Sequence, residues 1–398
     1  MRLVHCGSVW ETLRWTLHAW WHAYSVPTDR ATWTSTQDTT IPYEEEIKIT
    51  AKRWALLTPF FASRGYHLYE PSKLPQTMPP SSLKPPADVD ESYPYARRRV
   101  RDEQGLAFLD IQSCRVWAAR DNAGREVIIK SVPMNWIRCQ LSDFNPPVTF
   151  RMVSFGEKES DELKIYRRLN TPGARADPRN RTLPVIDYIT YDGLVFVVTP
   201  RWGEPVVGLS FSTVEQLLLM TDQLLEGMVF LHQQRIAHRD VDTRNMVMNA
   251  LFEVCEGHDC DEIRDPSAVR YAYIDFEASA IFSMDTDIDK VVMKRERRFR
   301  TVHAGLEGPE SNPFADDIYV LIHVLQRWVR VVENVVPEMG VFFDEILSNY
   351  SSDLSAIAVL SKFRQIRAEL TAEQLKSPTP GRLWHEGTTS TFSCFNQR

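Results

Sequence analysis

The chain has 398 residues, 43% of them hydrophobic, enough to bury a sizeable core and too many for a wholly disordered chain. Its formal net charge of −7 leaves no basic excess, so nucleic acid is not expected as a partner despite Arg-rich runs near 97–99 and 295–300. Six cysteines, at 6, 114, 139, 255, 260 and 394, lack the dense spacing of a small secreted domain, so reduced thiols and an intracellular, cytoplasmic or nuclear, protein are expected.

Residues 1–26 contain no continuous apolar run, because Glu11, Arg14, His18 and His22 interrupt it, so neither a secretory signal nor a membrane span is predicted. Trp10, Leu13, Leu17, Trp21 and Tyr24 recur three or four apart, which gathers them on one face of a helix. Packing of that face on the main domain is the favoured reading, since the polar face is not Lys-rich; an interfacial membrane helix is the alternative. A second helix is expected over 44–64, ending at Gly65. The Pro- and Ser-rich stretch that follows cannot propagate a helix or a central strand and reads as a linker.

Beyond the linker, two alternating apolar runs flank Asp121, Asn122, Ala123 and Gly124, a strand-turn-strand pattern. "ESDELKIYRRLN" has helical spacing, with Leu163, Tyr166 and Leu169 on one side, and "GLVFVVTP" reads as a buried strand. After Gly203 helices dominate. A long one follows Ser212 or Thr213 as N-cap, another runs over about 316–332, and short strands are expected at 246–248 and 271–274. Strands first and helices later describe an α+β chain with two unequal lobes.

Several polar groups stand out against this frame. Lys130 closes "VIIK", and Glu162 opens "ELKIYRRL". "HRDVDTRN" carries Asp240 and, five residues on, Asn245; "YAYIDFE" carries Asp275 and Phe276. Glu310 lies in "GPE" and Asp317 in "DIY". In this order the motifs resemble those of a eukaryotic protein kinase domain, covering about residues 102–370, with a texture similar to divergent fungal kinase-like proteins. The resemblance implies an α+β, bilobal protein-kinase-like fold with a small β-rich lobe over 100–202 and a larger helical lobe over 203–372. A helical Trp-rich extension over 1–70, the linker over 71–99 and a tail over 373–398 complete the division.

The resemblance also implies roles. Lys130 would grip the α and β phosphates of ATP, Glu162 would pair with Lys130, and Asp240 would accept the proton of a Ser or Thr hydroxyl on a protein substrate. Asn245 and Asp275 would hold Mg²⁺, while Val116 and Ile128 would flank the nucleotide, with the gatekeeper at Val198 or Thr199. Asp242 stands where many kinases place a Lys, and an acid there would repel the γ-phosphate by up to roughly 4 kcal/mol at about 4 Å and an effective dielectric of about 20. Arg244, four after Asp240, is expected to supply the missing charge, with Asp242 turned outward or paired to it. Thr301 would be a phosphate acceptor facing Arg239, and Glu310 and Asp317 would anchor the activation segment.

Other departures from the pattern point elsewhere. The glycine-loop positions fall on Leu109, Ile111 and Cys114, so the phosphate cradle is missing. Ile128 narrows the adenine pocket, and Glu277 replaces a Gly and should restrict Asp275. Together with Asp242, these motivate an alternative function, a pseudokinase acting as a binding or scaffold module. A small-molecule kinase is a third reading, against which Glu310 and Asp317 argue. Cys255, His258 and Cys260 in the 250–270 insertion have irregular spacing and read as a surface loop rather than a zinc site.

Overall fold

The computed structural model describes residues 3–22, 26, 33, 42–73, 76–84, 93–100, 103–108, 114–133, 135–136, 157–203, 211–252, 263–294, 310–349, 351, 354–380, 382–385 and 388–391. Leu109, Ile111, Tyr24, Cys255, His258, Cys260, Thr301 and the Gly-Pro before Glu310 lie outside the described residues. The chain forms two compact units, one of residues 1–86, 107–164 and 185–199 and one of residues 87–106, 165–184 and 200–398. One is sheet-rich, the other helical, and the mixed α/β make-up is that of a kinase-like fold.

The first unit is built on a five-stranded sheet. Its strands are β1 (Tyr66–Leu68), β2 (Val116–Asp121), β3 (Glu126–Pro133), β4 (Asp187–Tyr191) and β5 (Leu194–Pro200), in the order β1-β2-β3-β5-β4. The β2-β3 hairpin turns at Gly124, whose φ of 80° lies where a Cβ is disfavoured, while the Asp121 carboxylate accepts from the Ala123 and Arg125 amides. Side chains alternate across a strand, so cross-strand partners share a face. One face carries Trp117, which stacks on Trp54 with ring centroids 5.7 Å apart.

Trp54 belongs to helix α2 (Tyr43–Ser63), which covers that face. It also meets Phe196 of β5 edge-on at 5.9 Å and donates from Nε1 to the Cys114 carbonyl at 3.0 Å. Helix α1 (Val9–Trp21) starts at Ser8, whose side chain accepts from the Glu11 amide. It docks through Trp15, edge-on to Phe60 of α2 at 5.2 Å, and through Thr16, whose hydroxyl accepts from the Val4 amide at 2.8 Å. That is the reverse of the expected face: Trp10, Leu13, Leu17 and Trp21 are exposed. Trp15 and Thr16 win because they combine a large ring with a hydroxyl that satisfies a buried amide.

Helix α3 (Asp161–Leu169) supplies Glu162 to the first unit and Tyr166 to the second. The second unit is organised around α5 (Val214–Gln233), which follows the short α4 (Pro172–Ala176) and is capped by Thr213. Helices α6 (Pro313–Val329), α7 (Glu338–Ser348), α8 (Ala356–Ala368) and α9 (Ala372–Lys376) complete it. Arg364 of α8 grips Asp222 of α5 through two bonds of 2.7 and 3.0 Å and reaches Glu226 at 2.7 Å. Two short strands, Met246–Met248 and Tyr271–Tyr273, pair antiparallel beside α5, where the Tyr273 hydroxyl donates to the Leu224 carbonyl at 2.9 Å.

Candidate functional site

In the first unit the register of β2 and β3 sets Val116 opposite Lys130 and Ala118 opposite Ile128, so Val116, Ile128 and Lys130 share the face turned away from Trp54. Phe196 lies on the Trp54 face, and Val198, two residues on, keeps that side. Of the two gatekeeper candidates, Thr199 therefore falls on the Lys130 face, half-buried, and Val198 on the Trp54 face.

Lys130 Nζ meets Glu162 Oε1 at 2.8 Å, which joins two of the expected partners. The other carboxylate oxygen of Glu162 is taken by a residue that the sequence reading missed. Arg115 Nη2 donates to Glu162 Oε2 at 2.5 Å, while its Nε donates to the Ser131 carbonyl at 2.9 Å. All three charged side chains are buried, Arg115 to 2% exposure. One carboxylate thus neutralises two cations, and charges held this far from water persist only when paired and hydrogen-bonded. The signal available was an Arg entering a strand that otherwise faces inward, where it demands an acid.

Cys114, the last of the three glycine-loop positions, is buried with its carbonyl bonded to Trp54, so this backbone is tied to the hydrophobic side of the sheet. Burial pushes its thiol up to about 11.

In the second unit, the pairing of Met246 with Tyr273 brings the two motifs together, and Ile274 N donates to the Asn245 carbonyl at 3.0 Å. Asn245 Nδ2 donates to the Asp240 carbonyl at 2.8 Å and to Asp240 Oδ2 at 3.1 Å. That bond orients the half-buried carboxylate and turns the amide oxygen of Asn245 the other way. Asp275 has φ of 63°, in the left-handed region that side chains with a Cβ avoid. Glu277 shows no positive φ; its amide points at Asp275 Oδ1 from 3.4 Å. The left-handed backbone thus lies at Asp275 and not at position 277.

His238 is held at both ring nitrogens. Nε2 lies 3.0 Å from the Ile274 carbonyl, which can only accept, and Nδ1 accepts from the Asp240 amide at 3.3 Å. The loop backbone is clamped by Asp317, which accepts from the His238 amide at 2.6 Å and the Arg239 amide at 2.7 Å. Phe276 packs behind, with its ring 5.4 Å from His238 and 5.6 Å from Tyr166. Asp317 is buried and holds the loop at 238–239, and the Glu310 side chain is exposed.

Asp242 does not face the loop as a bare acid. It caps the turn Thr243–Asn245 by accepting from the Arg244 amide, and it pairs with Arg244 Nε at 2.9 Å. Burial works against its charge, but the Arg244 hydrogen bonds and guanidinium outweigh that and hold the carboxyl below its usual range. Arg244 stays exposed, and its bond to Asp242 raises its own pKa.

Comparison with known proteins bears on this arrangement. Over 111 residues, 25% of this chain, it is 48% identical to the "Serine/threonine-protein kinase US3 homolog" of equine herpesvirus 1 (strain Ab4p). Over 103 residues, again 25% of the chain, it is 26% identical to "Serine/threonine-protein kinase US3" of human herpesvirus 1 (strain 17). The matched stretches span 28% and 20% of those proteins, about a quarter of their length. No family model matches the chain. These similarities support a protein-kinase-like domain; the relatives are viral and lend nothing to the fungal texture.

Proposed function

We propose that the chain is an ATP-dependent protein kinase that transfers the γ-phosphate to Ser or Thr hydroxyls of an intracellular protein substrate. The observation that carries this reading is the pair of ordered constellations: Lys130 held by Glu162, and Asp240 held by Asn245 beside Asp275. The names of the two herpesvirus relatives support the same class.

In this reading the Lys130 ammonium, fixed by Glu162, receives the α and β phosphates of ATP. Asp240 orients the substrate hydroxyl and takes its proton, with Asn245 Nδ2 keeping the carboxylate in one rotamer. Asn245 and Asp275 present oxygen donors, which suits Mg²⁺; bound there, the ion would neutralise phosphate charge. Arg244, with Nε committed to Asp242, offers its Nη groups to the transferring phosphate. The pairing of Asp242 removes one of the main motives for the pseudokinase alternative.

The test is thermal stability of the purified protein with ATP, with and without Mg²⁺, beside Lys130→Ala and Asp275→Asn. Ligand that binds only the native state raises stability by about 2.7 kcal/mol at a hundredfold excess over Kd. A Mg²⁺-dependent rise in Tm abolished by both substitutions is expected, with ³²P transfer to a protein substrate that Asp240→Asn lowers at least about a hundredfold. No rise at millimolar ATP would sink the catalytic reading and leave a scaffold.

A further inference from the structure

Around the circumference of α1, at 3.6 residues per turn, Val9, Trp20, Leu13, Leu17, Trp10 and Trp21 follow one another without a polar residue between them, over roughly a third of the circle. All six are exposed, Trp10 to 80% and Trp21 to 79%. The helix is not free to turn this stripe inward. Its opposite side is fixed by Trp15 on Phe60, by the Thr16 hydroxyl under the Val4 amide and by the Thr12 hydroxyl, which accepts from the Cys6 amide at 3.2 Å. An exposed apolar surface of this extent on an anchored helix marks an interaction face.

The charges beside the stripe decide what kind of surface fits it. Next around the wheel come Arg14, His18, Glu11 and His22, the three basic residues spaced by four. Glu11, the one acid in the helix, is neutralised by Arg64 at 2.7 Å. The border is therefore cationic, complementary to phosphate headgroups. Burial, then His22 and Arg14, hold His18 below its usual pKa, so near neutrality Arg14, whose guanidinium lies 4.8 Å from the Trp15 ring centroid, carries charge that His18 does not. Three of the six exposed side chains are Trp, whose indole combines a broad apolar ring with one N–H donor and settles where hydrocarbon meets headgroups. Among the described residues no helix is long and apolar enough to cross a membrane, so contact would be with one leaflet.

We propose that α1 is an interfacial membrane helix that seats Trp10, Leu13, Leu17, Trp20 and Trp21 in the headgroup boundary of an anionic leaflet, with Arg14 at phosphate level. This inference stands independently of the kinase reading.

The experiment is cosedimentation of the full chain with phosphatidylcholine vesicles, with and without phosphatidylserine, alongside tryptophan fluorescence. Binding with a blue shift is expected on phosphatidylserine vesicles. Combined Trp10→Ser and Trp21→Ser should weaken it by about tenfold or more, and Arg14→Glu should abolish the preference for the anionic lipid. Because these side chains are exposed, the variants should keep the wild-type Tm. A wild-type chain that stays in the supernatant overturns the proposal. So does binding indifferent to the Trp substitutions, or a dimer in light scattering that those substitutions dissociate, which would make a second copy the occupant.

Discussion

Glu162 concentrates more of the electrostatics of the first unit than a single ion pair would. Its two oxygens serve Lys130 and Arg115, both buried. Glu162→Ala removes the shared counter-charge from two desolvated cations and should cost about 3–5 kcal/mol in urea denaturation. Arg115→Met keeps the Lys130–Glu162 pair and replaces a buried cation with an apolar chain of similar length, so its cost should stay under about 2 kcal/mol. Equal losses for the two variants would refute the shared role. The buried thiols behave differently with pH: burial pushes Cys6 up to about 12 and Cys114 up to about 11 from the ordinary 9.0. The unfolded thiols ionise first as pH rises, so their contribution is whole below pH 9 and is lost as pH climbs through the folded values. Denaturation midpoints measured from pH 8 to 11 should fall less steeply in a Cys6→Ala, Cys114→Ala double variant.

At the scale of elements, α2 is the lid of the sheet. Trp54 stacks on Trp117, meets Phe61 and Phe196, and satisfies its indole N–H on Cys114. Trp54→Ala should cost about 3–5 kcal/mol through the cavity and the lost hydrogen bond. Hydrogen exchange would locate the damage: faster exchange over 116–133 and 194–199, with α5 still protected, since its core is formed by other residues. Uniform loss of protection would refute that division. Most helices and strands were legible because their signals are local. The α5 cap, the hairpin at Gly124 and the strands at 246–248 and 271–273 follow from spacing and turn chemistry. Helix α1 was legible as a helix, but its buried side was not. The hydrophobic stripe names the most apolar face, whereas docking required Trp15 and Thr16, whose value depends on Phe60 and on an amide elsewhere in the chain.

For the molecule as a whole, the sequence by itself determined the class: an α+β chain carrying Lys130, Glu162, Asp240, Asn245 and Asp275 in kinase order, because residue type and spacing along the chain are properties of the sequence alone. It could not weigh the departures from that order. Asp242 could turn outward or pair with Arg244 until the turn at Thr243–Asn245 chose the pair, and which residue of the Asp275–Glu277 stretch takes the left-handed φ was decided by the fold, at Asp275. Arg115 carried no signal of its partner until the fold set its guanidinium on Glu162. In each case the deciding quantity was a distance or a dihedral between groups that sequence spacing does not constrain. Electrostatic sign and strain depend on which partner a side chain meets, and only the tertiary structure chose the partners.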